Sequence, residues 1–211
     1  APTAAITYSP DSSSTPYHEG AADVTITATF NKSMSASPLP KIIITGSGIG
    51  YVPATQMVRI DDTTYTYNYT VPSGNGTGDV TLTTGTDLAG NVVTSTPTSG
   101  ASFSVNNTKP TMVITASWVS SGATTNVASS TLTFTFSEPT SDFVVDDILV
   151  KKGVNGDVET GRLSAFAATS GSTSIYTCTF TTNGNATYTI EVPAGNLTGN
   201  TSGNTNVVSN I

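Results

Sequence analysis

The chain has 211 residues, a formal net charge of −7, charged side chains at only 10% and a single cysteine. With no basic stripe to neutralise phosphates, neither nucleic acid nor an anionic membrane surface is an expected partner. One cysteine rules out an intrachain disulfide, and apolar runs of only a few residues predict no membrane insertion and no signal segment.

From the N-terminus, β-branched and aromatic residues alternate with small polar ones, and Gly, Pro, Asn and Ser punctuate them. This is the pattern of short strands separated by turns. It predicts strands at 4–8, 23–30, 41–45, 57–60, 65–71, 78–84 and 101–105. Val24-Thr25-Ile26-Thr27-Ala28-Thr29-Phe30 is the clearest alternation. Gly46-Ser47-Gly48-Ile49-Gly50 mimics a phosphate loop, but no helix follows it and no Lys stands at the required spacing, so it reads as a long hairpin turn. In Tyr65-Thr66-Tyr67-Asn68-Tyr69-Thr70-Val71 the tyrosines and Val71 share one face, which predicts an inner wall with phenolic hydroxyls at its rim. Pro72-Ser73-Gly74-Asn75-Gly76 is a turn by its chemistry.

The polar segment Asn106-Asn107-Thr108-Lys109-Pro110 reads as a linker and divides the chain into domains 1–106 and 107–211. Beyond it, strands are predicted at 111–116, 131–137, 148–151, 162–167, 174–181, 186–192 and 206–209, with a single helical turn at most over 125–129. Cys178, in phase with Tyr176 and Phe180, reads as a small buried hydrophobe. Thr131-Leu132-Thr133-Phe134-Thr135-Phe136 repeats the alternation of 24–30, and Asn196-Leu197-Thr198-Gly199-Asn200 echoes Asp87-Leu88-Ala89-Gly90-Asn91. The offset is roughly 106 to 109 positions, about the length of one sandwich domain. The predicted fold is all-β: two tandem immunoglobulin-like antiparallel β-sandwich domains.

In the second half, Phe134-Thr135-Phe136-Ser137-Glu138-Pro139, Phe143-Val144-Val145-Asp146-Asp147-Ile148, Val192-Pro193-Ala194-Gly195-Asn196 and Gly199-Asn200 follow in order. This set resembles the bacterial Ig-like repeats of large surface adhesins, which read F-x-F-S-E-P-V, F-x-x-x-D-I, V-P-A-G and D-x-x-G-N. The first half is a looser relative through Ala28-Thr29-Phe30, Thr86-Asp87-Leu88-Ala89-Gly90-Asn91 and Ser102-Phe103-Ser104-Val105. Val105-Asn106-Asn107-Thr108-Lys109-Pro110 resembles the family's V-D-N-T-x-P junction. The resemblance implies an extracellular, cell-surface structural or adhesive module, a stalk whose partners are neighbouring Ig-like domains or copies of itself. It also implies, from some members, Ca2+ at domain junctions. Asn106 and Asn196 stand where the family pattern carries Asp, which removes two carboxylates.

Hard cations want several oxygen ligands, carboxylates above all. The candidate calcium ligands are Asp87, Asn91 and Asn106 with Asp146 and Asp147, and Asp61-Asp62 is a further acidic pair. The competing reading of Asp87 and Asn91 is local turn capping, with Gly90 in a positive-φ position. Trp118, the sole tryptophan, is the candidate ligand contact of a glycan-binding surface, and Tyr8, Tyr17 and Tyr51 are a candidate aromatic patch. The alternative for Trp118 is packing over the core or at the domain seam.

No enzyme is expected. His18 is the only histidine, and G-x-S-x-G, H-E-x-x-H and C-x-x-C are absent. Glu138 and Asp147 are the carboxylates a glycosidase would need, but Glu138-Pro139 reads as a strand terminator. Lys32, Lys151 and Lys152 lie at strand ends, where solvated lysines are ordinary and an isopeptide cross-link is not expected. Two rival functions stand beside the stalk. One is a self-polymerising extracellular filament subunit that uses 4–8 or 206–211 for β-strand addition; the other is a carbohydrate-binding module.

Overall fold

The computed structural model describes residues 1–11 and 15–211. The chain divides into two compact units, Ala1–Asn107 and Thr108–Ile211. Asn107 goes with the first, one residue past the boundary expected from the linker. Its side-chain amide donates to the Pro72 and Gly74 carbonyls at 2.9 and 2.6 Å, which ties it to the turn before the seventh strand.

The first unit contains β1 (Ala4–Ser9), β2 (Val24–Phe30), β3 (Lys41–Thr45), β4 (Val52–Gln56), β5 (Val58–Arg59), β6 (Thr64–Tyr69), β7 (Gly76–Thr83) and β8 (Ser102–Val105). They form two four-stranded antiparallel sheets, ordered β1-β2-β6-β5 and β4-β3-β7-β8. Strict alternation explains why β2 is central: Val24, Ile26, Ala28 and Phe30 all face inward and are buried, while the threonines between them face outward. Ile42 and Ile44 of β3 and Val80 and Leu82 of β7 meet them from the other sheet in one core. Each such aliphatic side chain contributes about 1.5–3 kcal/mol by leaving water.

The second unit contains β9 (Met112–Ala116), β10 (Ser129–Phe136), β11 (Leu149–Lys152), β12 (Asp157–Glu159), β13 (Leu163–Ala168), β14 (Ile175–Thr181), β15 (Tyr188–Val192) and β16 (Ser209–Asn210). Its sheets run β9-β10-β14-β13 and β12-β11-β15-β16. Adding eight to each strand label of the first unit reproduces this arrangement strand for strand. The sequence repeat is therefore a repeat of topology. Phe134, Phe136, Phe143, Phe166 and Tyr176 interlock in the second core with centroid distances of 4.9 to 5.9 Å, mostly edge to face. Cys178 is 1% exposed, and burial pushes its thiol up to about 11.

Several expectations need correction. β4 and β12 lie outside the predicted strands, and the strand expected at 57–60 is reduced to Val58–Arg59, with Met57 turned into the core. The helical turn falls at Val145–Asp147, not 125–129. The last strand starts at Ser209 rather than 206. Among the tyrosines of β6, Tyr69 donates its hydroxyl to the Ile49 carbonyl at 2.8 Å. The Tyr65 hydroxyl is buried without a partner, so it does not reach a rim.

Candidate functional site

Asp87 is 5% exposed and serves as the acceptor of a closed loop. Its Oδ1 takes the N–H groups of Ala89 and Asn91 at 3.0 and 2.9 Å, and the Asn91 side-chain amide reaches Oδ1 and Oδ2 at 3.1 and 3.0 Å. Gly90, at φ 84, lets the backbone turn back on itself. The Asn91 hydrogen bonds hold the Asp87 carboxyl below its ordinary value. An amide donor aimed at both carboxylate oxygens fills the lone pairs that a cation would use. Asn106 is engaged elsewhere, its N–H donating to the Tyr17 carbonyl at 2.8 Å.

In the second unit Asp146 and Asp147 sit on the short 3-10 turn, and Asp147 Oδ2 accepts the Val144 N–H at 2.8 Å. Burial raises the Asp147 carboxyl; the Val144 bond opposes this, and the charges of Asp142 and Asp146 add to it. Among the described residues, no group of three His, Cys, Asp or Glu side chains is arranged to hold a metal. Within either unit the expected calcium set does not fit: Asp87 and Asn91 form a turn, and Asp146 and Asp147 stand on a different unit.

The side chains that organise the loops of the second unit are ones the sequence left unmarked. Asn206, 2% exposed, accepts the N–H groups of Asn196 and Leu197 at 3.0 and 3.2 Å. Its amide donates to the Pro193 and Val207 carbonyls at 2.9 Å each. Asp142 accepts the Thr198 N–H on both oxygens, at 3.1 and 2.9 Å, and the Thr140 hydroxyl at 2.7 Å. Burial works against its charge, but the Thr140 and Thr198 bonds outweigh it and lower the carboxyl. Glu138 accepts the N–H groups of Thr201 and Ser202 at 3.0 and 2.8 Å and the buried Ser202 hydroxyl at 2.6 Å. Glu138 thus cross-links the end of β10 to the 201–202 loop, a role beyond ending a strand. The Glu138 position in the F-S-E-P segment was its only sequence signal; Asp142 and Asn206 are short polar residues among many.

The aromatic candidates separate. Trp118 is 73% exposed and so does not cap the core. Tyr51 is also exposed, but Tyr17 is buried and Tyr8 packs against the core, each touching the Phe103 ring. The three tyrosines therefore form no common patch. Lys151 pairs with Glu191 at 2.8 Å, and Lys152 donates to the Asn183 carbonyl at 2.6 Å.

A feature shared by both units lies where the chain enters and leaves them. In the first, Ala5 pairs with Ser99 and Tyr17 with Val105, both in parallel. The bonds are Thr94 N–H to Pro2 at 2.9 Å, Thr98 N–H to Ala4 at 2.8 Å, Ile6 N–H to Ser99 at 3.0 Å, Tyr17 N–H to Ser104 at 2.9 Å and Asn106 N–H to Tyr17 at 2.8 Å. In the second, the Asn204 amide donates to the Thr108 carbonyl at 3.2 Å, Val207 N–H to Pro110 at 3.1 Å and the Ser209 hydroxyl to Met112 at 2.8 Å. Residue numbers rise together on both sides, so entry and exit segments run parallel.

No protein-family model matches the chain, and no curated protein matches it.

Proposed function

We propose that the chain is a non-enzymatic extracellular structural module, a tandem Ig-like stalk segment of a cell-surface protein. The strand order supports the Ig-like reading. Lettered in sequence, each unit pairs an A-B-E-D sheet with a C′-C-F-G sheet, the arrangement of immunoglobulin-like sandwiches.

The observation that carries the function is the parallel bonding of entry to exit segments in each unit. Tension along a stalk pulls these two segments in opposite directions. For a parallel pair that load is a shear, so several hydrogen bonds bear it together. An antiparallel hairpin pulled at its open end gives way one bond at a time. Forced unfolding is governed by the unfolding rate, so a linkage that must break first sets the resistance. Stretching single molecules by their two ends tests the reading. Unfolding at forces well above those that peel a hairpin supports it, and peeling-level forces overturn it.

Two rival readings make different predictions. A filament subunit elongates as concentration rises, whereas a stalk segment sediments as a monomer throughout. A carbohydrate module is favoured by the exposure of Trp118; it requires a glycan-array signal that Trp118→Ala abolishes.

A further inference from the structure

The two units differ at one place, and the difference opens a groove. In the first unit β8 lies along β7 from Gly76↔Val105 to Asp79↔Ser102, with Phe103 and Val105 buried at 5% and 3% exposure. Phe103 packs against Tyr8, Tyr17 and Tyr69 and lies over Gly78, where an added Cβ would stand 2.6 Å from its ring. In the second unit β16 pairs with β15 only at Glu191↔Asn210 and Val192↔Ser209, followed by reciprocal Ile190 and Ile211 bonds at 3.1 and 3.0 Å.

Register shows what is missing. Ile44 pairs with Val80 as Val150 pairs with Ile190, which sets Val80 level with Ile190. Val80 N–H donates to the Ala101 carbonyl and Ile190 N–H to the Ile211 carbonyl, so Ile211 stands at the level of Ala101. The positions of Ser102–Val105 have no counterpart among the 211 residues. In their place is an open groove of about 1060 Å³. Ala116 and Phe180 line it, at the register positions of Tyr8 and Tyr69, together with Tyr188, Ile190, Ile211 and Trp118. None of its lining residues is charged.

We propose that this groove is a strand-acceptor site. Its occupant is an uncharged extended segment of another polypeptide, apolar at alternate positions, that adds antiparallel to β15. Two of its side chains sit where Phe103 and Val105 sit in the first unit. Main-chain bonds along the edge of β15 supply affinity, and the two side-chain places supply specificity. A second copy of this chain is a poor donor: its own Ser102–Val105 is paired with β7, and its β1 is paired with β2.

The test uses the peptide Ser-Phe-Ser-Val-Asn-Asn, which copies residues 102–107, added to the full 211-residue chain. Trp118, the sole tryptophan, lines the groove and reports occupancy by its emission. The expected result is saturable binding, a Trp118 emission shift and a rise of about 5 °C in the melting of the second unit at saturating peptide. A peptide with Phe and Val replaced by Ser should bind at least about tenfold more weakly. Appending Ser-Phe-Ser-Val-Asn-Asn after Ile211 fills the groove covalently and should abolish binding of the free peptide. The proposal is overturned by no saturable binding at millimolar peptide, by binding that survives in the extended chain, or by self-association of the chain without peptide.

Discussion

Asn206 has four hydrogen bonds to backbone groups and almost no exposure, so its side chain replaces a piece of secondary structure in the loop before β16. Asn206→Ala leaves those groups unpaired in a buried place and should cost about 1–3 kcal/mol in the second unit; chemical denaturation followed by Trp118 emission measures it. Asp142 and Asp147 are close in sequence and opposite in sign. The Asp142 carboxyl lies below the ordinary 3.8, so its stabilisation is present above that pH and lost as pH falls through its lower folded value. The Asp147 carboxyl lies above 3.8, so the folded state binds its proton more tightly and gains stability as pH falls through that raised value towards 3.8. At pH 7, Asp142→Asn should therefore lower the melting temperature and Asp147→Asn should raise it. Both differences should shrink in acid, and melting curves across pH decide it. Cys178 and the inward residues of β2 were legible because burial and apolar character coincide there. Asn206, Asp142 and Glu138 were not, because a polar side chain that satisfies a distant loop has the same sequence appearance as one facing water.

At the scale of elements, entry and exit segments meet by close backbone approach. Gly100 shows how close: its φ is 67°, and a Cβ there would lie 2.1 Å from the Ile6 carbonyl oxygen. Gly100→Val must push β1 away from the 98–100 segment, with a cost above about 1 kcal/mol. In stretching experiments it should lower the unfolding force of the first unit and leave the second unchanged. Elements whose alternation is long were readable from residues alone: β2, β10 and β14 each bury every second side chain. Those that escaped are edge strands. β4 carries Pro53, which argues against a strand except at an edge, where the missing N–H faces no partner. β12 is three residues long, with Asp157 and Glu159 around an exposed Val158, the usual protection of an edge. Neither buries enough apolar surface to leave a periodic signal.

For the whole molecule, the division into two units of one topology follows from a period visible in the sequence, because each repeat supplies both faces of its own core. The calcium set implied by family resemblance did not carry over. The Asp-to-Asn changes at 106 and 196 were visible, but the engagement of Asp87 by the Asn91 amide was not. Millimolar Ca2+ should therefore leave the melting temperature of either unit unchanged in calorimetry, since a ligand of the folded form alone would raise it. The most direct test of the account is force–extension of single molecules held at both ends. It predicts two separate unfolding events in either order, each releasing roughly 330 Å, about 3.5 Å per residue less the span of the folded unit. One event releasing both lengths together, or a gradual low-force extension with no distinct steps, would contradict it.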